Sequence, residues 1–220
     1  MKMAKTLVRT LVAAALAFAL AAPVAAQSEV EIGALGLISD YTSLDVSNSA
    51  RSGNVGPGFG FSGGFILGQA MSNRWGGEFR YLYFKNDLEL DAGSDSADLG
   101  AQSHAVHYDV LYYFKDPDVR VRPFVAAGFG VKHYQGTGSE DPFQPGNDLA
   151  LLTATNQTMF MGDVGVGVKF RVGKRAMFRV EFRDYMTGVP KDVIAASPGA
   201  DLQGGILHHW APLFGITWTF

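Results

Sequence analysis

The chain has 220 residues, with 18 Lys and Arg against 21 Asp and Glu, a net charge of −3, and no cysteine. The missing cysteines exclude a disulfide-stapled secreted scaffold, and the absence of a basic stripe excludes a nucleic-acid partner. Its 27 Gly and 16 Phe, 8 Tyr and 3 Trp fit a sheet with one crowded face and one face turned to lipid.

Lys2, Lys5 and Arg9 precede an apolar run from Leu11 to Ala22, and Val24 and Ala26 stand where a signal peptidase requires small residues. Residues 1–26 therefore read as a cleaved secretory signal. Their 12-residue apolar core is short of the roughly 20 residues of a helical span. Residues 27–220 form the expected mature domain. Losing the three basic residues leaves 15 basic against 21 acidic side chains, a net charge of about −6.

Period-two alternation then recurs along the chain. The first strand is expected from about Glu29 to Tyr41, with apolar residues on both faces. The second, Gly58 to Gly68, sets Phe59, Phe61, Phe65 and Leu67 against Gly60, Ser62 and Gly64. The third, Trp75 to Phe84, sets Phe79, Tyr81 and Tyr83 against Glu78 and Arg80. The fourth, His104 to Phe114, sets Val106, Tyr108, Val110 and Tyr112 against His107 and Asp109. The fifth, Arg120 to Tyr134, sets Val121, Val125, Ala127, Phe129 and Val131 against Arg122, Gly128, Gly130 and Lys132. The sixth, Gln157 to Val172, has the clearest alternation. Phe160, Val164, Val166, Val168, Phe170 and Val172 oppose Met161, Asp163, Gly165, Gly167, Lys169 and Arg171. The seventh sets Phe178, Val180 and Phe182 against Arg179, Glu181 and Arg183, and the eighth ends the sequence with Phe214, Ile216, Trp218 and Phe220 on one face.

The connections alternate in length. Residues 69–74, 115–119 and 173–175 are short; 42–57, 85–103, 135–156 and 187–207 are long and polar. Four such loops are foreign to a compact soluble domain, whereas an outer-membrane barrel has short turns on one side and long loops on the other. A soluble sandwich or lipocalin-like barrel shares the alternation. Strand length, aromatic content and loop asymmetry favour the membrane. The fold expected is all-β, a closed, antiparallel, up-and-down transmembrane barrel of eight strands, with both termini periplasmic and the long loops extracellular.

The terminal strand, with Phe214, Ile216, Trp218 and Phe220, resembles the C-terminal signal by which the barrel-assembly machinery takes up outer-membrane barrels. With the Arg179-Val180-Glu181-Phe182-Arg183 strand and the overall architecture, the chain resembles the small barrels of the OmpA-like transmembrane-domain and OmpW/OmpX-like superfamily, the outer membrane protein β-barrel domain. The resemblance implies an outer-membrane location, contact with membrane lipid and lipopolysaccharide, and a monomer.

On the strand assignments, Glu78, Arg80, Asp109, Lys132, Asp163, Lys169, Arg179, Glu181 and Arg183 point into the lumen. An eight-stranded barrel is filled mainly by side chains, and enclosed charges must be paired. These nine are expected to offset one another as an internal network, with inward glycines leaving room for the long cations. A narrow, porin-like channel is the alternative. An embedded enzyme is a third reading: the histidines are His104, His107, His133, His208 and His209, and none stands in the His-x-Ser-Asn run of lipid A deacylases. No catalytic residue, cofactor or metal is assigned, and Asp91 to Asp95 lacks the ligand spacing of an EF-hand loop. The acidic long loops read as mobile surface structures.

Overall fold

The computed structural model describes residues 29–141 and 143–220; the expected signal segment lies outside them. Among the described residues, eight long strands are interspersed with seven short ones. The long strands are β1 (Val30–Tyr41), β4 (Gly60–Ala70), β5 (Trp75–Lys85), β8 (Ala101–Tyr113), β9 (Val121–Gly136), β11 (Asn156–Arg171), β12 (Ala176–Thr187) and β15 (Leu207–Thr219). They close an antiparallel barrel in which every strand neighbours the next long strand in sequence. β15 completes the ring against β1, pairing Glu31 with Thr219 and Leu37 with Leu213. Closure leaves no unpaired edge, which is what hydrocarbon demands of a spanning sheet.

The alternation of residue chemistry becomes an alternation of environment. Phe129 and Phe160 point outward, 76% and 89% exposed, while Lys132 and Lys169, also on β9 and β11, are buried. On β9 the outward apolar run from Val121 to Val131 covers 11 residues. At roughly 3.4 Å per residue and a tilt of about 40°, that run is about 26 Å tall, the height of a hydrocarbon band. Trp75, Tyr112 and Trp218 border the band at the end with the short turns. The ambiguous β1 is resolved: Leu35, Leu37 and Tyr41 are buried, while Ile32 and Ile38 are exposed.

The long connections differ from expectation. They carry β2 (Leu44–Ser47), β3 (Ser52–Pro57), β6 (Leu88–Ala92), β7 (Asp95–Leu99), β10 (Ala150–Leu152), β13 (Ile194–Ala196) and β14 (Asp201–Gln203). Five of these form a sheet in the order β14-β2-β3-β6-β7, and β10 pairs with β13. Leu44, Val46, Val55, Leu88, Leu90 and Leu99 face inward and join Leu149, Leu152, Ile194 and Leu207 in one buried cluster. Burying each large aliphatic contributes about 1.5–3 kcal/mol, so the acidic "loops" form a folded cap over one barrel end. Asp91 to Asp95 includes a two-residue hairpin turn in which Gly93 takes φ 75°, a conformation that hairpin turns require and glycine supplies.

Arg51 ties the cap together. Its guanidinium bonds Asp95 on β7 at 2.5 Å and grips Asp148 from the third long connection through Nη2 and Nε. Hydrogen bonds from Arg51 hold the exposed Asp148 carboxyl at about 2, well below its ordinary value. The ionised contact is thus fully present above about pH 4 and is lost as pH falls through about 2. Hydrogen exchange along Leu44–Pro57 and Asp95–Leu99 tests this. Arg51→Ala should accelerate it at neutral pH, and acidification from pH 4 to 2 should do so in the native chain, after correction for intrinsic rates. Unchanged protection in both cases would contradict Arg51 as the fastener.

Candidate functional site

The lumen is layered, and β8 and β9 show the order. Nearest the short turns, Leu111 and Tyr113 of β8 pack with Phe124 and Ala126 of β9. Asp109 and His107 follow on β8 at the level of Gly128 and Gly130 on β9. Above them Ala105 joins Leu35, Leu37, Ile66, Leu82, Phe84, Met161, Tyr185, Ala211 and Leu213 in a second apolar layer. Lys132 and then Tyr134 follow on β9, and Tyr134 belongs to the cap core.

The layer between the two apolar clusters is a belt of charges. Period two places Glu78 and Arg80 together on β5, and Arg179, Glu181 and Arg183 together on β12, all with side chains 0–2% exposed. Arg80 bonds Glu78 at 2.6 Å, Glu181 at 2.9 Å and Asp109 at 3.0 Å. Arg179 bonds Glu78 at 3.0 Å and Glu181 at 2.5 Å. Arg183 bonds Asp163 at 2.6 Å, and Glu181 and Asp109 both at 2.9 Å. Lys169 bonds Glu31 at 2.6 Å and Glu78 at 3.2 Å. Each carboxylate thus meets two or more donors from different strands, which a surface pair does not achieve.

Two glycines make the room. A Cβ on Gly128 would strike the carboxylates of Asp109 and Asp163, and one on Gly165 would strike the Arg183 side chain. Only a residue without a side chain lets these groups lie flat across the strand.

Eight of the nine expected lumen residues meet in this belt; Lys132 does not. Its Nζ donates to Tyr41 Oη and to His209 Nδ1, each at 2.7 Å, and lies 4.3 Å from the centre of the Phe84 ring. Tyr41 and His209 stack at 3.8 Å between ring centres. Lys132 sits two residues above Gly130, past the belt, where its strand partners are Ala105 and Met159 and the rings reach it from β1, β5 and β15 across the lumen. Two hydrogen bonds and an enclosure of aromatic rings replace the expected ion pair.

The belt also includes two residues outside the expected nine. Glu31 was hidden because both faces of β1 are apolar; its parity with Leu35 and Leu37 is the available signal. His107 shares a face with Asp109, and its Nδ1 lies 2.7 Å from Asp109 and 3.2 Å from Asp163. These three groups have the donor types of a metal site. Yet Arg183 already contacts both carboxylates and Arg80 contacts Asp109, so positive charge fills the position a metal would take. Among the described residues, Glu31, Glu78, Asp109, Asp163 and Glu181 face Arg80, Lys169, Arg179 and Arg183, with His107 set between Asp109 and Asp163. The other histidines lie outside the belt. His209 is in the lumen, His208 pairs with Asp184 at 2.8 Å, and His104 and His133 face outward.

The terminal residues Phe214, Ile216, Trp218 and Phe220 all point outward and are exposed. Phe220 N donates to Val30 O at 2.9 Å, so the last residue pairs with the first strand.

The family described as outer membrane protein beta-barrel domain matches residues 11–204. The chain belongs to that family. Among solved structures, this family member is similar to Neisserial surface protein A (NspA), at 14% identity and a TM-score of 0.53, covering 88% of this chain and 97% of that one. It is similar also to the outer membrane protein OprG from Pseudomonas aeruginosa, at 12% identity and a TM-score of 0.53, covering 88% and 95%. At these identities the likeness is one of fold. No curated protein matches the chain in sequence. The chain is therefore a membrane-embedded outer-membrane β-barrel.

Removing one belt carboxylate leaves several buried cations short of a partner, which costs about 3–5 kcal/mol when a buried pair is broken. Glu78→Gln, which strips charge from the contacts to Arg80, Arg179 and Lys169, should lose that much in denaturant unfolding from lipid vesicles. A loss under about 1 kcal/mol, the range of an exposed pair, would contradict the belt's structural weight.

Proposed function

We propose that this protein is a closed outer-membrane barrel with a structural or surface-interaction role, presenting its folded cap outside the cell. The observation that carries this reading is the filled lumen: a belt of paired charges lies between two apolar layers, with the cap core above them. A solute would have to break bonds among side chains with almost no exposed surface. Short turns and both strand termini at one end support a periplasmic placement of that end, and the cap at the other end an extracellular one. Kinship to the OmpA-like transmembrane domain and OmpW/OmpX-like barrels fits the strand number and the Arg179–Arg183 strand. The barrel-assembly machinery is the expected partner of the strand ending in Phe214, Ile216, Trp218 and Phe220, lipopolysaccharide the expected neighbour of the outward wall, and the monomer the expected state.

The cap gives the surface role its chemistry. Asp45, Glu89, Asp91, Asp98 and Asp201 all lie exposed on the sheet's outer side, opposite its apolar face. Burial and the neighbouring carboxylates Asp91 and Asp87 push the Glu89 carboxyl above its ordinary range. Such a face repels anions and attracts cationic partners.

Planar-bilayer recording of the refolded mature chain tests closure, with insertion checked separately by heat-modifiable gel mobility. The expected record is silent. Reproducible single-channel steps whose ion selectivity changes in Glu181→Gln would overturn the closed reading in favour of a narrow channel.

A further inference from the structure

We propose that His104 and His133 form a two-histidine site for a divalent transition-metal ion on the outward wall of the barrel. The two residues are direct cross-strand partners of β8 and β9. Both belong to the outward-facing series, since their in-strand neighbours Ser103, Ala105, Lys132 and Tyr134 are buried. Directly opposed residues of an antiparallel pair have Cβ atoms about 4.5–5.5 Å apart. Two imidazoles starting from that separation can bring nitrogens to about 3 Å from each other, as cis ligands at about 2.0–2.1 Å from one metal require.

A second observation concerns ring orientation. His104 Nδ1 lies 2.8 Å from Tyr81 Oη, and His133 Nδ1 lies 2.8 Å from Thr158 Oγ1. A hydroxyl oxygen accepts as well as donates, so each Nδ1–H has an acceptor on its own wall. The Nε2 lone pair of each ring is then left for a ligand bond, the arrangement in which metal-binding histidines are usually held. The Tyr83 ring packs on His104 with centres 5.2 Å apart, limiting its rotation.

The surroundings favour a metal over a proton or an anion. The row across the strands reads Tyr83, His104, His133, Thr158, with Gln102, Gln135 and Asn156 above and Tyr81, Val106, Val131 and Phe160 below. Among the described residues of these rows no carboxylate holds an imidazolium, and the single cation, Lys85, stands on β5 at the level of Gln102, outside the His104–His133 row. Nitrogen donors suit copper, nickel and zinc rather than magnesium or calcium, and the net negative mature chain raises the local concentration of any cation. The row lies where the outward wall changes from Val131 and Phe160 to polar side chains, so the ion's remaining coordination positions face the headgroup layer.

The test uses Cu2+ titrated into the tag-free mature chain refolded in zwitterionic micelles, followed by electron paramagnetic resonance and calorimetry. The expected result is one ion per chain with a two-nitrogen equatorial signature. His104→Ala and His133→Ala should each weaken binding at least about tenfold, and Tyr81→Phe by about tenfold through lost ring orientation. His208→Ala, whose ring pairs with Asp184 elsewhere on the wall, should leave the affinity unchanged. Heat-modifiable mobility confirms that each variant is folded. Affinities in His104→Ala and His133→Ala within twofold of the native chain would overturn the proposal, as would a larger loss in His208→Ala than in either.

Discussion

A charged side chain enclosed by eight strands has no bulk water to fall back on, and the rest of this structure follows from that constraint. Each carboxylate of the belt must meet cations from other strands, so β1, β5, β8, β11 and β12 are tied through the lumen as well as through their backbones. Slipping any one of them by a single residue would move its charges into lipid and its valines and phenylalanines into the lumen. The belt therefore fixes register in a fold whose outer face, a band of interchangeable apolar residues, specifies register only weakly. Glycines 128 and 165 belong to the same solution, because the ion pairs cross the strand where their side chains would stand.

Charge pairing inside the belt permits dry layers on either side. Leu111, Tyr113 and Phe124 fill the lumen toward the turns, and Leu82, Phe84 and Leu213 toward the cap. Beyond the upper layer, Tyr41, Tyr134 and Leu207 contribute to the cap's own core, so barrel and cap share residues. A cap built this way is held by burial below and by Arg51 across its connections. That continuity distinguishes it from a set of flexible loops and makes an exposed acidic face a stable feature of the protein.

Much of the barrel was legible in the sequence, because transmembrane strands must alternate and their alternation has a long reach. The charged faces of β5 and β12 could be read directly: Glu78–Arg80 and Arg179–Glu181–Arg183 allow no other arrangement once the apolar residues face lipid. Height along the lumen was not legible. Lys132 shares the parity of the belt yet sits above it, and only the stagger between neighbouring strands separates a lysine that reaches a carboxylate from one caged by Tyr41, Phe84 and His209. Glu31 was obscured by the two apolar faces of β1. The cap was missed for a different reason. Leu44-Asp45-Val46 and Leu88-Glu89-Leu90-Asp91 do alternate, but in segments of four or five residues. Acidic composition and the length of the connections outweighed so short a pattern, and pairings such as β3 with β6 join residues from separate connections.

The belt acts as one coupled network and not as a set of independent contacts. A double-mutant cycle on Arg179 and Glu181, with Arg179→Met, Glu181→Leu and the double variant unfolded from vesicles, measures that coupling directly. Each single variant should be strongly destabilised, because it strands a buried charge. The double variant should be less destabilised than the sum by about 2–3 kcal/mol. Losses that add to within about 0.5 kcal/mol would mean that these charges do not depend on one another, and would contradict the account.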